Sequence, residues 1–141
     1  MENIKELLAN REIYTVTKGT SIKDAVFYMA DRGVGLIPIM DDGKLVGVFS
    51  ERDLVKRVIA KNKSLVDTKV EEVMSSNLII AETHEPSESV LAKMKESKIR
   101  HILIIENEKL IGVLSMRDLL ELDLSVCKTT VEVLNNYIYS K

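Results

Sequence analysis

The chain has 141 residues, 45% of them hydrophobic and 30% charged, a balance that suits a folded soluble domain and excludes a disordered chain. Its net charge of −2, from 20 basic and 22 acidic residues, excludes the global positive field by which proteins recruit nucleic acid. A single cysteine excludes an internal disulfide and a cysteine-built metal site, and no apolar run approaches the ~20 residues that span a bilayer. With no signal-peptide pattern at the N-terminus, a reducing cytoplasm is the expected location.

Residues 4–10 pattern as a short amphipathic lead-in helix. Ile13 to Thr17 alternates and is β-branched, which predicts a first strand. Ser21 with Asp24 three residues later predicts a capped helix, whose face Ile22, Ala25, Val26, Met29 and Ala30 repeats at helical spacing. Gly33 and Gly35 end it. Leu36 to Met40 and Leu45 to Phe49 are short apolar strands, and the Asp42-Gly43 between them is a hairpin signal. Ser50 caps a helix predicted to run to about Lys61. Residues 64–77 hold one helical turn, Val70-Glu-Glu-Val.

The order then repeats. Leu78 to Ala81 reads as a strand, and Glu85-Pro86 starts a helix with proline at its first position. His101 to Ile105 and Leu110 to Leu114 form a second hairpin, and Ser115 begins the last helix of the repeat. Val131, Leu134 and Ile138 suggest a terminal helix over 126–141.

The repeat is visible residue by residue. Positions 42–57 and 107–122 share eight identities, where unrelated segments would share about one in sixteen. The chain is an internal duplication of a β-α-β-β-α unit, with halves so small that a shared core is expected. The expected division is 1–65 for the first unit with its lead-in helix, 66–125 for the second, and 126–141 for a helical tail.

Each copy runs from an apolar strand with one glycine into Ser-x-Arg-Asp: Gly47-Val-Phe-Ser-Glu-Arg-Asp53 and Gly112-Val-Leu-Ser-Met-Arg-Asp118. Ser50 with Asp53, and Ser115 with Asp118, have the spacing of a capping box, and helix capping alone explains both pairs. A second reading stands beside it. The glycine permits close backbone approach, a helix start offers N–H groups to an anion, and an aspartate there is a good acceptor for vicinal ribose hydroxyls. Two histidines and one cysteine assemble no metal cluster, catalytic triad or activated nucleophile, so an enzyme is not expected.

With these motifs in register, and with Ile37-Pro38-Ile39 and Val73-Met74 around them, residues 5–125 resemble a tandem pair of CBS (cystathionine β-synthase) domains. The resemblance implies an α/β (α+β) fold, two units packed sheet to sheet about a pseudo-twofold axis, with ligand clefts between them. It implies that Asp53 and Asp118 hold ribose, that Ser50 and Ser115 approach phosphate, and that adenine fills an apolar slot. Arg100 and His101 stand where adenylate-sensing members carry basic phosphate ligands. Gly35 and Leu36 occupy the matching positions of the first copy and, with Ile37, border its cleft. Gly35 could make room for a ring there. Arg52 and Arg117 either pair across the interface or reach a phosphate. The implied function is a regulatory module that senses AMP, ADP, ATP or S-adenosylmethionine, needs no further cofactor, dimerises, and reports to an effector protein. A module for interaction or nucleic-acid binding, with vestigial clefts, is the alternative.

The apolar residues Leu7, Leu8, Leu119, Leu120, Leu122, Leu124, Val131, Leu134 and Ile138 support the dimer expectation. Arg100 and His101, without basic counterparts in the first copy, predict unequal clefts.

Overall fold

The computed structural model describes residues 3–122 together with 134, 135 and 138. The predicted tail helix therefore falls almost wholly outside the described residues, as do Leu124 and Val131. The chain divides into two compact units, one made of residues 13–78 and the other of residues 1–12 with 79–141.

The unit of residues 13–78 contains strand β1 (Val16–Thr17), helix α2 (Ile22–Arg32), and strands β2 (Leu36–Asp41) and β3 (Lys44–Ser50). A one-turn helix α3 (Glu51–Asp53) passes into a π-helical segment (Leu54–Ile59), and helix α4 (Val70–Val73) follows. The sheet order is β1-β2-β3, with β1 parallel to β2 and β2 antiparallel to β3. Only two residues of the strand expected over 13–17 pair, and Ile13 is exposed.

Helix α2 forms as its pattern dictates. The Ser21 side chain accepts the Asp24 amide, Ile22, Ala25 and Met29 are buried, and Gly33 closes the helix at φ 69°. The Asp42-Gly43 turn has φ of 52° and 78°, the two positive angles of the tight hairpin turn that matches strand twist. Phe49, Ile37, Ile39, Val58 and Val70 complete this core, each fully buried. Such burial stabilises by roughly 1.5–3 kcal/mol per large side chain.

The other unit has helix α1 (Ile4–Ala9), strand β4 (Ile80–Glu82), helix α5 (Ser87–Ser97), strands β5 (His101–Glu106) and β6 (Lys109–Ser115), and helix α6 (Met116–Leu122). Its sheet, β4-β5-β6, repeats the topology and register of the first. Pro86 is the N-cap of α5 rather than its first helical residue. Leu119 is fully buried in this core, so the face of α6 that suggested a surface for dimerisation is partly interior.

Sequence order groups the lead-in helix with residues 1–65. In the structure, Ile4 and Leu8 of α1 are buried in the core formed by Ala81, Val90, Met94 and Leu114. Val70 and Val73 of α4, which stand 65 positions after Lys5 and Leu8, are buried against the first sheet. Each repeat's lead-in helix thus completes the core of the other repeat. The glycines of the motif accommodate these segments. A Cβ on Gly47 would collide with the Met74 side chain and lie 3.0 Å from the Ser75 carbonyl, and one on Gly112 would lie 2.7 Å from a Leu8 methyl.

Candidate functional site

In each copy the strand register brings the start of the hairpin to the start of the motif helix. Leu36 lies opposite Ser50, and His101 opposite Ser115. The first helical amide then donates back to the residue before the strand: Glu51 N–H to the Gly35 carbonyl at 2.9 Å, and Met116 N–H to the Arg100 carbonyl at 2.8 Å. Residues far apart in sequence, Gly35 and Leu36 with Ser50, and Arg100 and His101 with Ser115, therefore become neighbours within their own unit.

Both capping boxes form. The Ser50 amide and hydroxyl donate to one oxygen of Asp53 at 3.0 and 3.1 Å, and the Asp53 amide donates to the Ser50 hydroxyl at 3.2 Å. In the second copy the Ser115 amide donates to Asp118 at 2.8 Å, and the Asp118 amide donates to the Ser115 hydroxyl at 3.1 Å. The helix starts thus already engage two of the amides that could otherwise meet an anion: the first with the carbonyl that precedes the strand and the third with serine.

The two aspartates differ in their arginine partners. Asp53 is buried, and Arg57, one turn on, approaches its other oxygen at 3.6 Å while donating to the Val73 and Met74 carbonyls that end α4. Position 122, the counterpart of Arg57, is leucine. Instead Arg11, from the segment after α1, grips Asp118 with both terminal nitrogens, one 2.9 Å from each carboxylate oxygen. Partial burial pushes the Asp118 carboxyl up, but the Arg11 hydrogen bonds, the Ser115 amide and hydroxyl, and the Arg11 charge together bring it down to about 2. Arg11 was not a candidate in the sequence, because its counterpart in the repeat is Ser76.

The remaining candidates are placed unevenly. Arg52, Arg100 and Arg117 are exposed, and His101 is half-buried at the start of β5. The side chain of Ile37 is fully buried in the first core. A Cβ on Gly35 would stand 3.2 Å from the carboxylate at the flexible end of the exposed Glu51 side chain. Beside it, an apolar cavity of about 130 Å³ is lined by Val26, Met29, Ala30, Val34, Phe49 and Leu54, with Glu51 the one charged wall. Among the described residues no group of three or more side chains could hold a metal ion. No helix among them is long and apolar enough to cross a membrane.

The sequence profile of the CBS domain matches the chain twice, over residues 4–60 and 70–125. The chain belongs to the CBS domain family. It is similar to the CBS domain-containing protein YhcV of Bacillus subtilis, at 29% identity over 84% of each chain. Among solved structures it resembles the CBS domain protein PAE2072 from Pyrobaculum aerophilum, complexed with AMP (29% identity, 83% of this chain and 89% of that one, TM-score 0.74). It also resembles the CBS domain pair of protein MJ0100 in complex with 5'-methylthioadenosine and S-adenosyl-L-methionine (26% identity, 89% and 98%, TM-score 0.77). The chain spans as little as 19% of some other curated relatives. In CBS terms, the two matched segments each begin with the lead-in helix and end after the Ser-x-Arg-Asp helix start, so the duplicated motif closes each CBS unit.

Proposed function

We propose that this CBS pair is a ligand-sensing regulatory module that binds an adenine nucleotide or adenosyl compound without transforming it. The observation that carries this reading is the register that sets Leu36 beside Ser50 and His101 beside Ser115, giving each unit the same cluster of aspartate, serine and hairpin start. AMP in one similar structure, and S-adenosyl-L-methionine with 5'-methylthioadenosine in another, support the ligand class. Asp53 and Asp118 take ribose hydroxyls, and Ser50 and Ser115 lie toward phosphate. Arg100 and His101 add phosphate contacts that the first copy lacks, while Arg52 and Arg117 remain exposed reserves of charge. The apolar cavity beside Gly35 is of a size for a ring rather than for a whole nucleotide.

A signal follows only if ligand has different affinity for two states of the assembly, here the module with and without a cytoplasmic effector protein. The test is a thermal-shift series with AMP, ADP, ATP, S-adenosylmethionine and NAD. A ligand at 100 times its dissociation constant adds about 2.7 kcal/mol, a rise of several degrees for a chain of this size. No shift with any of them would abandon the reading in favour of an interaction or nucleic-acid module.

The same proposal includes a homodimer. Phe27 on α2, with Val55 and Ile59 on the π-helical segment, are large apolar side chains left 65%, 60% and 54% exposed, a cost that a symmetric contact removes. Light scattering should give about twice the 15.9 kDa chain mass. A monomer at micromolar concentration would count against it.

A further inference from the structure

We infer that Arg11 sets the ligand preference of the site built on Asp118, favouring phosphorylated adenosyl ligands over neutral ones; this rests on the adenosyl-binding reading above. The bidentate pair occupies both oxygens of the carboxylate that ribose hydroxyls require. A ribose that engages both oxygens of Asp118 through its vicinal hydroxyls must displace the guanidinium from at least the oxygen that Ser115 also occupies, so Arg11 handicaps all such ligands equally at that step. They differ in what they return. A phosphate offers the displaced guanidinium a second bidentate, charge-assisted partner. Adenosine and 5'-methylthioadenosine, which carry no anionic group, offer none.

Three further observations support this assignment. Arg11 is 41% exposed at its side chain and Asp118 16%, so the arginine can leave into solvent while the carboxylate stays in place. Asp118 keeps its Ser115 bonds without Arg11, so the displacement need not unravel the helix start. The first copy has no such lock, because Arg57 stands 3.6 Å from Asp53 and its guanidinium is committed to the Val73 and Met74 carbonyls. The preference therefore belongs to one of the two aspartate sites.

Titration calorimetry with adenosine and AMP on wild type, Arg11→Ala and Arg11→Lys tests the assignment, with the apo melting temperature of each recorded. Arg11→Ala should bind adenosine more tightly and AMP no better, so that the affinity ratio of AMP to adenosine falls about tenfold or more, as expected for a charged hydrogen-bonded contact. Arg11→Lys, which keeps the charge without the planar fork, should fall between. If Arg11→Ala does not fold, Arg11→Gln carries the same expectation. A ratio unchanged within about twofold while wild type binds AMP would overturn the role of Arg11 and leave the adenosyl reading intact. If wild type binds neither AMP nor any ligand of the thermal-shift series, both fall together.

Discussion

Replacing Gly47 with alanine should destabilise the protein by about 1–3 kcal/mol, the usual cost of forcing extra volume into a packed site. The new methyl meets the Met74 side chain and the Ser75 carbonyl. Met74 could swing aside, but Ser75 cannot, because its amide and carbonyl exchange 2.9 Å hydrogen bonds with Val48 on the same strand. The matching substitution, Gly112→Ala, meets only the branched end of Leu8, on a six-residue helix that can shift. It should cost distinctly less. Thermal or denaturant unfolding of both variants checks the order. Equal losses would mean that the glycines serve the strand itself, through backbone freedom, and not the segments that press on them.

This contrast shows what the sequence carried and what it could not. Duplication, hairpin turns and caps are local: the Asp-Gly turn, the Ser-x-x-Asp boxes and the apolar face of α2 each need only neighbours within a few residues. All of them are legible in the chain and present in the fold. Which core a helix joins is not local. Periodicity gives α1 an apolar face but cannot say that Leu8 packs against Gly112 rather than against residues 13–65. The π-helical segment was also hidden, since its i→i+5 bonds leave no distinctive spacing over six residues. In β2 three consecutive residues, Ile37 to Ile39, are buried, so alternation does not separate two faces of this strand. Arg11 escaped because repeat alignment finds residues that occur twice, and the partner of Asp118 occurs once.

The aspartates should separate capping from binding. Asp53→Ala removes a buried side chain that holds the Ser50 amide and hydroxyl, and should cost about 1–2 kcal/mol of apo stability. Asp118→Ala removes the same cap and the Arg11 pair as well. The carboxyl's fall from an ordinary 3.8 to about 2 is worth 1.36 kcal/mol per unit. That fall includes the Ser115 bonds of the cap as well as the Arg11 pair, and solvent screening at the exposed guanidinium reduces the part beyond the cap to below about 1 kcal/mol. Asp118→Ala should therefore be the more damaging of the two near neutral pH. The sign with pH follows from the direction of the shift: the folded value lies below the unfolded one, so the ionised carboxylate stabilises fully above about pH 4. That contribution drains away as pH falls toward 2, and the wild-type advantage over Asp118→Ala should shrink over the same window. Binding is the independent readout. Each substitution should weaken adenosyl ligand at its own site by roughly 1–3 kcal/mol, the worth of hydrogen bonds from ribose hydroxyls to a carboxylate. Two variants that melt lower but bind nucleotide as wild type does would make both aspartates helix caps and nothing more.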